Sequence, residues 1–217
     1  KYGLDQTIAD TLGIGGIMRA LRTIPVYLEM CQDMEELCPD VTLLNYVNPM
    51  AMLTWAINKA TKIKTVGLCH SVQGTAEQLA RDINIPIEEV NYIAAGINHQ
   101  TWYIQVLYKG KDWTHRLLEG FERHPHYSKT EKVRIDMLRR FGYYSTESNG
   151  HLSEYVPWYR KRPAEIGKWI DLRTWIHGET GGYLRVCTEN RNWFETDFPR
   201  WLAAEDEPIG PDNRSGE

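Results

Sequence analysis

Cys69 and His99 are the residues of this sequence whose types and setting could do metal chemistry. Cys69 closes the short apolar run Lys64-Thr65-Val66-Gly67-Leu68-Cys69 and is followed at once by His70. His99 stands thirty residues further on, in the glycine-preceded turn Gly96-Ile97-Asn98-His99. One thiolate and one imidazole can hold a divalent ion and leave positions open for water or substrate oxygens, as a catalytic site requires. The plainer reading of the same pair is a buried thiol and a hydrogen-bonded histidine. A second group, Glu147, His151, Glu154 and Tyr155, gathers carboxylate, imidazole and phenol within one segment, and read plainly it is a solvated charge cluster in a polar loop. Asn48 precedes Pro49, a pair expected to end a strand in a turn whatever its function. Asp10 to Gly16 places Gly13, Gly15 and Gly16 at the start of a helical pattern, where backbone amides suit an anionic or polyhydroxy ligand.

The elements that must position these groups follow from periodicity. Ile17, Leu21, Ile24, Leu28, Met30, Met34 and Leu37 recur at helical spacing from Ile17 to Cys38, with a break or kink expected near Pro25. Val41 to Val47 is a β-branched run after Pro39-Asp40 that predicts a buried strand delivering Asn48 at its C-terminal end, followed by a helix through Lys59. The pattern then repeats as the strand Lys64–Cys69 and a helix from Ser71 to Asn84. Two consecutive strand-loop-helix units predict a doubly wound parallel sheet, with ligands in the crevice beyond the strand ends, so that Asn48 and Cys69 face one crevice. Beyond Val90 the rhythm changes to a strand over Thr101–Tyr108, a turn at Lys109-Gly110 and a long helix from about Lys129 to Phe141 with Gly142 as its cap. This predicts a second, α+β domain. From Tyr143 to Trp201 the density of Trp, Tyr, Glu, His and Arg suits a polar-lined, aromatic-walled sugar pocket as well as a core.

Composition narrows the partners. The 217 residues are 42% hydrophobic and 25% charged, with 25 Lys and Arg against 29 Asp and Glu, so no basic field exists to hold a phosphate backbone. Nucleic acid is not an expected partner. No apolar run approaches the roughly 20 residues needed to cross a bilayer, and no secretory leader opens the chain, which reads as cytoplasmic. The cysteines Cys31, Cys38, Cys69 and Cys187 form no CxxC pair and imply neither a zinc knuckle nor a disulfide framework. Cys31 and Cys38 are expected to pack in a helix and at its exit.

The segments DTLGIGGIMRALRTIP (Asp10 to Pro25), LLNYVNPMAM (Leu43 to Met52), GLCHSVQGTAEQLARD (Gly67 to Asp82), AGINHQTW (Ala95 to Trp102) and FGYYSTESNGHLSEYVPW (Phe141 to Trp158) resemble, in order, those of glycoside hydrolase family 4. That family includes α-glucosidases, α-galactosidases, α-glucuronidases and α-galacturonidases, and it is an NAD-dependent exception to the two-carboxylate rule of glycoside hydrolysis. The resemblance implies NAD and Mn2+, or another divalent metal, as cofactors and a small α-glycoside as substrate. It implies a route of C3 oxidation, C2 deprotonation and elimination. Residue by residue it implies Cys69 and His99 as metal ligands and Asn48 as a contact to sugar hydroxyls. His70 occupies a position where some members carry an aspartate proposed as general acid. The base is sought within Tyr143 to Tyr155, with Glu147 ahead of Tyr155 because a carboxylate needs a smaller pKa shift than a phenol to act near neutral pH. His151 is taken as a substrate contact, and Asp10, Gly13, Gly15 and Gly16 as the loop approaching the cofactor.

The expected organisation is therefore a Rossmann-like doubly wound α/β part at 1–90, its N-terminal portion missing together with the dinucleotide fingerprint, joined to an α+β substrate domain of the lactate/malate dehydrogenase-like type at 91–202. A flexible tail is expected at 203–217, and a homodimer or homotetramer as the assembly. Arg160, Arg162 and Arg173 are the candidates to pair a uronic carboxylate if the substrate is an α-uronide. Two further readings stay open: a dehydrogenase acting on 2-hydroxy acids, and a sugar-binding module without turnover.

Overall fold

A computed structural model describes residues 5–170 and 182–203. Helix α1 (Gly13–Leu37) leads to strand β1 (Thr42–Asn45), helix α2 (Met50–Ala60), strand β2 (Lys64–Gly67) and helix α3 (Ser71–Asp82). β1 and β2 pair in parallel, with Thr42 opposite Lys64 and Asn45 opposite Gly67, as the repeated strand-loop-helix pattern predicts. Strands β3 (Val90–Ile97) and β4 (Gln100–Tyr108) then form an antiparallel hairpin, extended by β5 (Lys111–Asp112) and β6 (Tyr144–Ser145). Helices α4 (Leu117–Arg123), α5 (Tyr127–Thr130), α6 (Lys132–Phe141), α7 (Asn149–Tyr155) and α8 (Pro163–Trp169) pack around it, and α9 (Gly182–Glu189), α10 (Trp193–Thr196) and α11 (Phe198–Ala203) follow. The architecture is α/β, part of a Rossmann-like parallel sheet joined to an α+β portion. Among the described residues no helix is long and apolar enough to cross a membrane.

Several boundaries differ from the sequence reading. α1 runs unbroken through Pro25. Proline removes one amide donor, but Leu21, whose carbonyl loses it, is 63% exposed, so water can take its place. Met30 and Leu37 of the expected apolar face are also exposed, and among the described residues only Gly16, Ala20 and Cys31 of this helix are buried. The strand expected to be buried, β1, buries only Asn45, because the parallel sheet has two strands among the described residues. The long helix expected from Lys129 divides at Glu131 into α5 and α6, while Gly142 caps α6 at φ 80° as expected. Cys31 is buried and Cys38 exposed. Ala203, placed in the expected tail, closes α11, and 204–217 lie outside the described residues.

The main core joins the two portions. Ala76, Leu79 and Ala80 of α3 pack with Val90, Tyr103 and Val106 of the hairpin, Leu117 and Phe121 of α4, and Ile135 and Leu138 of α6. Fully burying a side chain such as Leu79 or Phe121 contributes about 1.5–3 kcal/mol. A second cluster holds Val133 and Met137 of α6 against Leu152 of α7, Tyr159 and Ile166. Because α3 begins just after Cys69 and is anchored in the hairpin's core, it fixes the thiol relative to the hairpin.

Asp82, at the last turn of α3, is an exception in this packing. Both its carboxylate oxygens are buried without a hydrogen-bond partner among the described residues, and a Cβ on Gly120 would meet Oδ2. Burial pushes its pKa up from 3.8 to about 7. The folded-state value is raised, so the stability carried by the protonated form is fully present below the unfolded value and lost as pH rises through about 7. Asp82→Asn is therefore expected to raise Tm at about pH 8 and to gain much less at about pH 4. Equal gains at both pH values in thermal melts would contradict this.

Candidate functional site

The parallel pair sets the geometry. Leu68 N–H donates to the Asn45 carbonyl at 2.9 Å, so the chain leaves both strands at one edge, and the rings of Tyr46 and His70 stack there with centroids 6.0 Å apart. Asn48 and Cys69 emerge together. Asn48 is half-buried, its side-chain Oδ1 accepting from the Met50 amide at 3.4 Å, and the Asn48–Pro49 peptide is cis. His70 is exposed at the N-terminus of α3.

The β3–β4 hairpin brings His99 to this edge. Ile97 pairs with Gln100, leaving Asn98 and His99 as a two-residue turn, and His99 has φ 61°. A left-handed conformation costs a residue with a Cβ about 1–2 kcal/mol, and such strain persists where the surroundings over-determine it, commonly at functional sites. Gly96, at φ 148°, is required here, since a Cβ would collide with the Gln100 carbonyl. His99 is 8% exposed, and its Nε2 lies 3.6 Å from Cys69 Sγ.

Behind the imidazole stand the groups of β6 and α7. His99 Nδ1 is 3.0 Å from Tyr155 Oη and 3.6 Å from Glu147 Oε2. His151 packs its ring edge against His99, centroids 5.6 Å apart, and its Nδ1 is 2.7 Å from Ser148 Oγ. Ser148 caps α7 and accepts from the His151 amide. His151 and Tyr155 are four residues apart on one helix face, and Leu152 between them is driven into the core. The segment read as a solvated charge cluster is thus an interior group: Glu147 is 2% and His151 6% exposed.

Burial raises the Cys69 thiol pKa, but the hydrogen bond and charge of His99 outweigh it and the net shift is downward. For His99 burial favours the neutral ring, while Cys69, Glu147 and Asp10 together raise its pKa. Burial and the neighbouring carboxylates push the Tyr155 phenol far up, which keeps it protonated.

The donor set fits a divalent metal. With bonds of about 2.3 Å to sulfur and about 2.1 Å to nitrogen, a tetrahedral angle separates the two donors by about 3.6 Å, the separation found between Cys69 Sγ and His99 Nε2. Single donor atoms of His99, Glu147 and His151 also lie within 4.8 Å of one another. Because Glu147 faces Nδ1, on the ring side opposite the thiol, it is better placed as the carboxylate that orients the ligand imidazole than as a third ligand to an ion at Nε2.

Asp10 joins this group through a loop. Its carboxylate is paired with Arg19 and accepts from Thr11 Oγ1 at 3.0 Å. Gly15 and Gly16 allow this loop to lie directly on α1, since a Cβ on either would strike the backbone of Ala9 or Thr11. Gly13, at φ 71°, has open space around it. Sequence reasoning missed the loop's own contacts, which span some 150 residues, whereas Ser148, three residues before His151, is a legible cap signal.

Of the three arginine candidates the structure bears mainly on Arg160. Arg160 is buried and committed to Asp5 and Ser153, Arg162 is on the surface pairing Glu165, and Arg173 lies outside the described residues. An aromatic cleft of about 470 Å³ lined by Trp102, Phe141, Tyr143 and Trp158 does exist, but none of the candidate residues lines it.

Residues 1–85 match the family model described as family 4 glycosyl hydrolase, and residues 94–217 match its C-terminal domain. The chain is 56% identical to an alpha-galactosidase of Rhizobium meliloti over all of its own length and 45% of that protein. It is 46% identical to an alpha-galactosidase of Bacillus subtilis over 89% of its length and 44% of that protein, and 34% identical to an alpha-galacturonidase of Thermoanaerobacterium saccharolyticum over 78% and 42%. The chain thus spans less than half the length of these relatives. Among solved structures, lplD of Bacillus subtilis superposes with a TM-score of 0.73 at 25% identity, covering 93% of this chain and 49% of that one. A 6-phospho-alpha-glucosidase from gut microorganisms, in complex with NAD and Mn2+, has a TM-score of 0.65 at 16% identity over 93% and 47%, and shares the fold.

Proposed function

The chain belongs to the family 4 glycosyl hydrolases, and from that premise we propose that the full-length protein hydrolyses α-galactosides with NAD+ and a divalent ion such as Mn2+. The observation that carries this reading is the approach of Cys69 Sγ to His99 Nε2 at 3.6 Å, a metal-ligand pair at the edge where the parallel strands end. The choice of galactoside rests on the 56% and 46% identity to alpha-galactosidases against 34% to an alpha-galacturonidase. It is supported by Arg160, whose guanidinium is already engaged by Asp5 rather than open to a uronic carboxylate.

Bound at this site, the nicotinamide would exchange hydride with C3 of the sugar and the ion would supply Lewis acidity for loss of the C2 proton and elimination of the aglycone. Cys69 and His99 hold the ion, and Asn48, leaving the same edge, takes a sugar hydroxyl. Glu147, the residue favoured from sequence as the base, lies on the side of His99 away from the ion and instead orients the imidazole together with the protonated Tyr155. His70, exposed beside Cys69, is assigned protonation of the leaving oxygen, a task an imidazole can perform near neutral pH. His151, with Nδ1 held by Ser148, keeps Nε2 for a substrate oxygen. The Asp10 loop and the start of α1 at Gly13, Gly15 and Gly16 form the wall facing the cofactor.

The test is hydrolysis of the nitrophenyl α-galactoside, α-glucoside, α-glucuronide and α-galacturonide by the full-length protein, with NAD+ and Mn2+ each supplied or omitted. Turnover is expected only with both, with kcat/KM for the galactoside at least about tenfold above the galacturonide. The reverse order would move the assignment to a uronidase. Tight NAD+ and metal binding with no turnover of any of the four would favour a dehydrogenase or a binding module.

A further inference from the structure

We propose that Glu154 is a positioning residue, a built-in anion that clamps the loop carrying Asp10 and Thr11 against the His99 site. Its carboxylate accepts three successive backbone N–H groups: Oε2 from Thr7 and from Ile8 at 3.0 Å, and Oε1 from Ala9 at 3.0 Å. Consecutive amides that converge on one point form a concavity for an anion, and the left-handed Ala9 at φ 60° lies at its end. Here a side chain of α7 fills that concavity. Arg160 secures the other end of the same loop, donating from Nε to the Asp5 carbonyl at 2.9 Å and to its carboxylate at 3.0 Å.

Placement on α7 gives the clamp its consequence. Glu154 and Tyr155 are successive residues, so one turn of helix grips the loop amides with the first and reaches His99 Nδ1 with the second. The loop has no helix or strand of its own, yet Thr7 and Thr11 are both 2% exposed. What holds Asp10 near the imidazole is therefore the Glu154 carboxylate together with the close seat on Gly15 and Gly16. Three amides engage both oxygens of the Glu154 carboxylate and turn it toward the loop rather than toward a substrate, which argues against Glu154 as the general base. The functional consequence rests on the glycosidase reading above, whereas the clamp itself does not.

The experiment is hydrogen–deuterium exchange of the full-length protein, with kinetics beside it, for wild type, Glu154→Asp, Glu154→Gln and Glu154→Ala. In the Ala variant the amides of residues 7–9 should exchange at least about tenfold faster, the size expected for losing hydrogen bonds to a charged group. Peptides from β3 and β4 should be unchanged and Mn2+ affinity, read by the signal of free Mn2+ in EPR, should stay within about threefold. Turnover should fall about 10- to 100-fold, with Glu154→Gln intermediate in both exchange and turnover and Glu154→Asp partly rescued in both. Unchanged protection of residues 7–9 in both the Ala and Gln variants would overturn the proposal. So would a Gln variant with intact protection and turnover as low as Ala, which would make the carboxylate a reacting group. If the wild type hydrolyses no glycoside, the glycosidase reading fails while the exchange data still decide the clamp.

Discussion

Cys69→Ser in the full-length protein is expected to lower kcat/KM for the α-galactoside by roughly a thousandfold or more, and His99→Ala to do the same. Sulfur and nitrogen stand at 3.6 Å, the spacing of two donors on one ion, and the imidazole is locked from behind by Tyr155 at 3.0 Å and Glu147 at 3.6 Å. A serine hydroxyl is nearly isosteric with the thiol but offers no thiolate, so a packing role would leave turnover almost intact while a ligand role would not. Mn2+ affinity should fall in parallel, and the double variant should be little worse than either single one, because ligands act as a unit. Retention of a tenth or more of the activity by Cys69→Ser at saturating Mn2+ would sink the assignment.

Arg134→Met is expected to cost about 3–5 kcal/mol of stability, the range for breaking a buried ion pair from one side. Arg134 is 4% exposed and ties three elements together. Its Nη1 donates to Glu131 at 3.2 Å and to Gln78 of α3 at 2.8 Å, and its Nη2 donates to Thr75 of α3 at 3.0 Å and to the Ser145 carbonyl at 2.7 Å. The guanidinium also lies 4.3 Å from the Tyr144 ring centroid. Methionine fills the volume but leaves Glu131, itself 8% exposed, without its cation. Since Thr75 also donates to the Thr146 carbonyl at 2.7 Å, the lesion loosens the strand end that delivers Glu147. Urea unfolding should show a lower midpoint at unchanged slope. A loss below about 1 kcal/mol would mean that the network relaxes around the gap.

Much of the scaffold was legible because it is written in local patterns. The paired units at Thr42–Ala60 and Lys64–Asp82 show in β-branched runs followed by helical spacing, and Gly142 marks the end of α6 because only an αL residue closes that turn without strain. Cys69 and His99 were legible as chemistry, and the resemblance told which of two readings to prefer. The long-range polar contacts were not legible. Nothing near Glu154 signals that it takes amides some 145 residues away, or that Arg160 belongs to Asp5 rather than to a uronate. Glu147 and His151 looked like a polar loop because local composition cannot say that Leu152 drives α7 inward. Pro25 does not end α1, since the carbonyl it deprives of a donor belongs to the exposed Leu21, where water can replace it.

The claim on which the account turns is that this site loosens the C2 proton of the sugar before the glycosidic bond is broken. It is tested most directly by letting the full-length protein hydrolyse nitrophenyl α-galactoside in D2O with NAD+ and Mn2+, and examining the released galactose by NMR and mass spectrometry. Deuterium at C2 is the result the account predicts; released galactose that keeps its original hydrogen at C2 would contradict it.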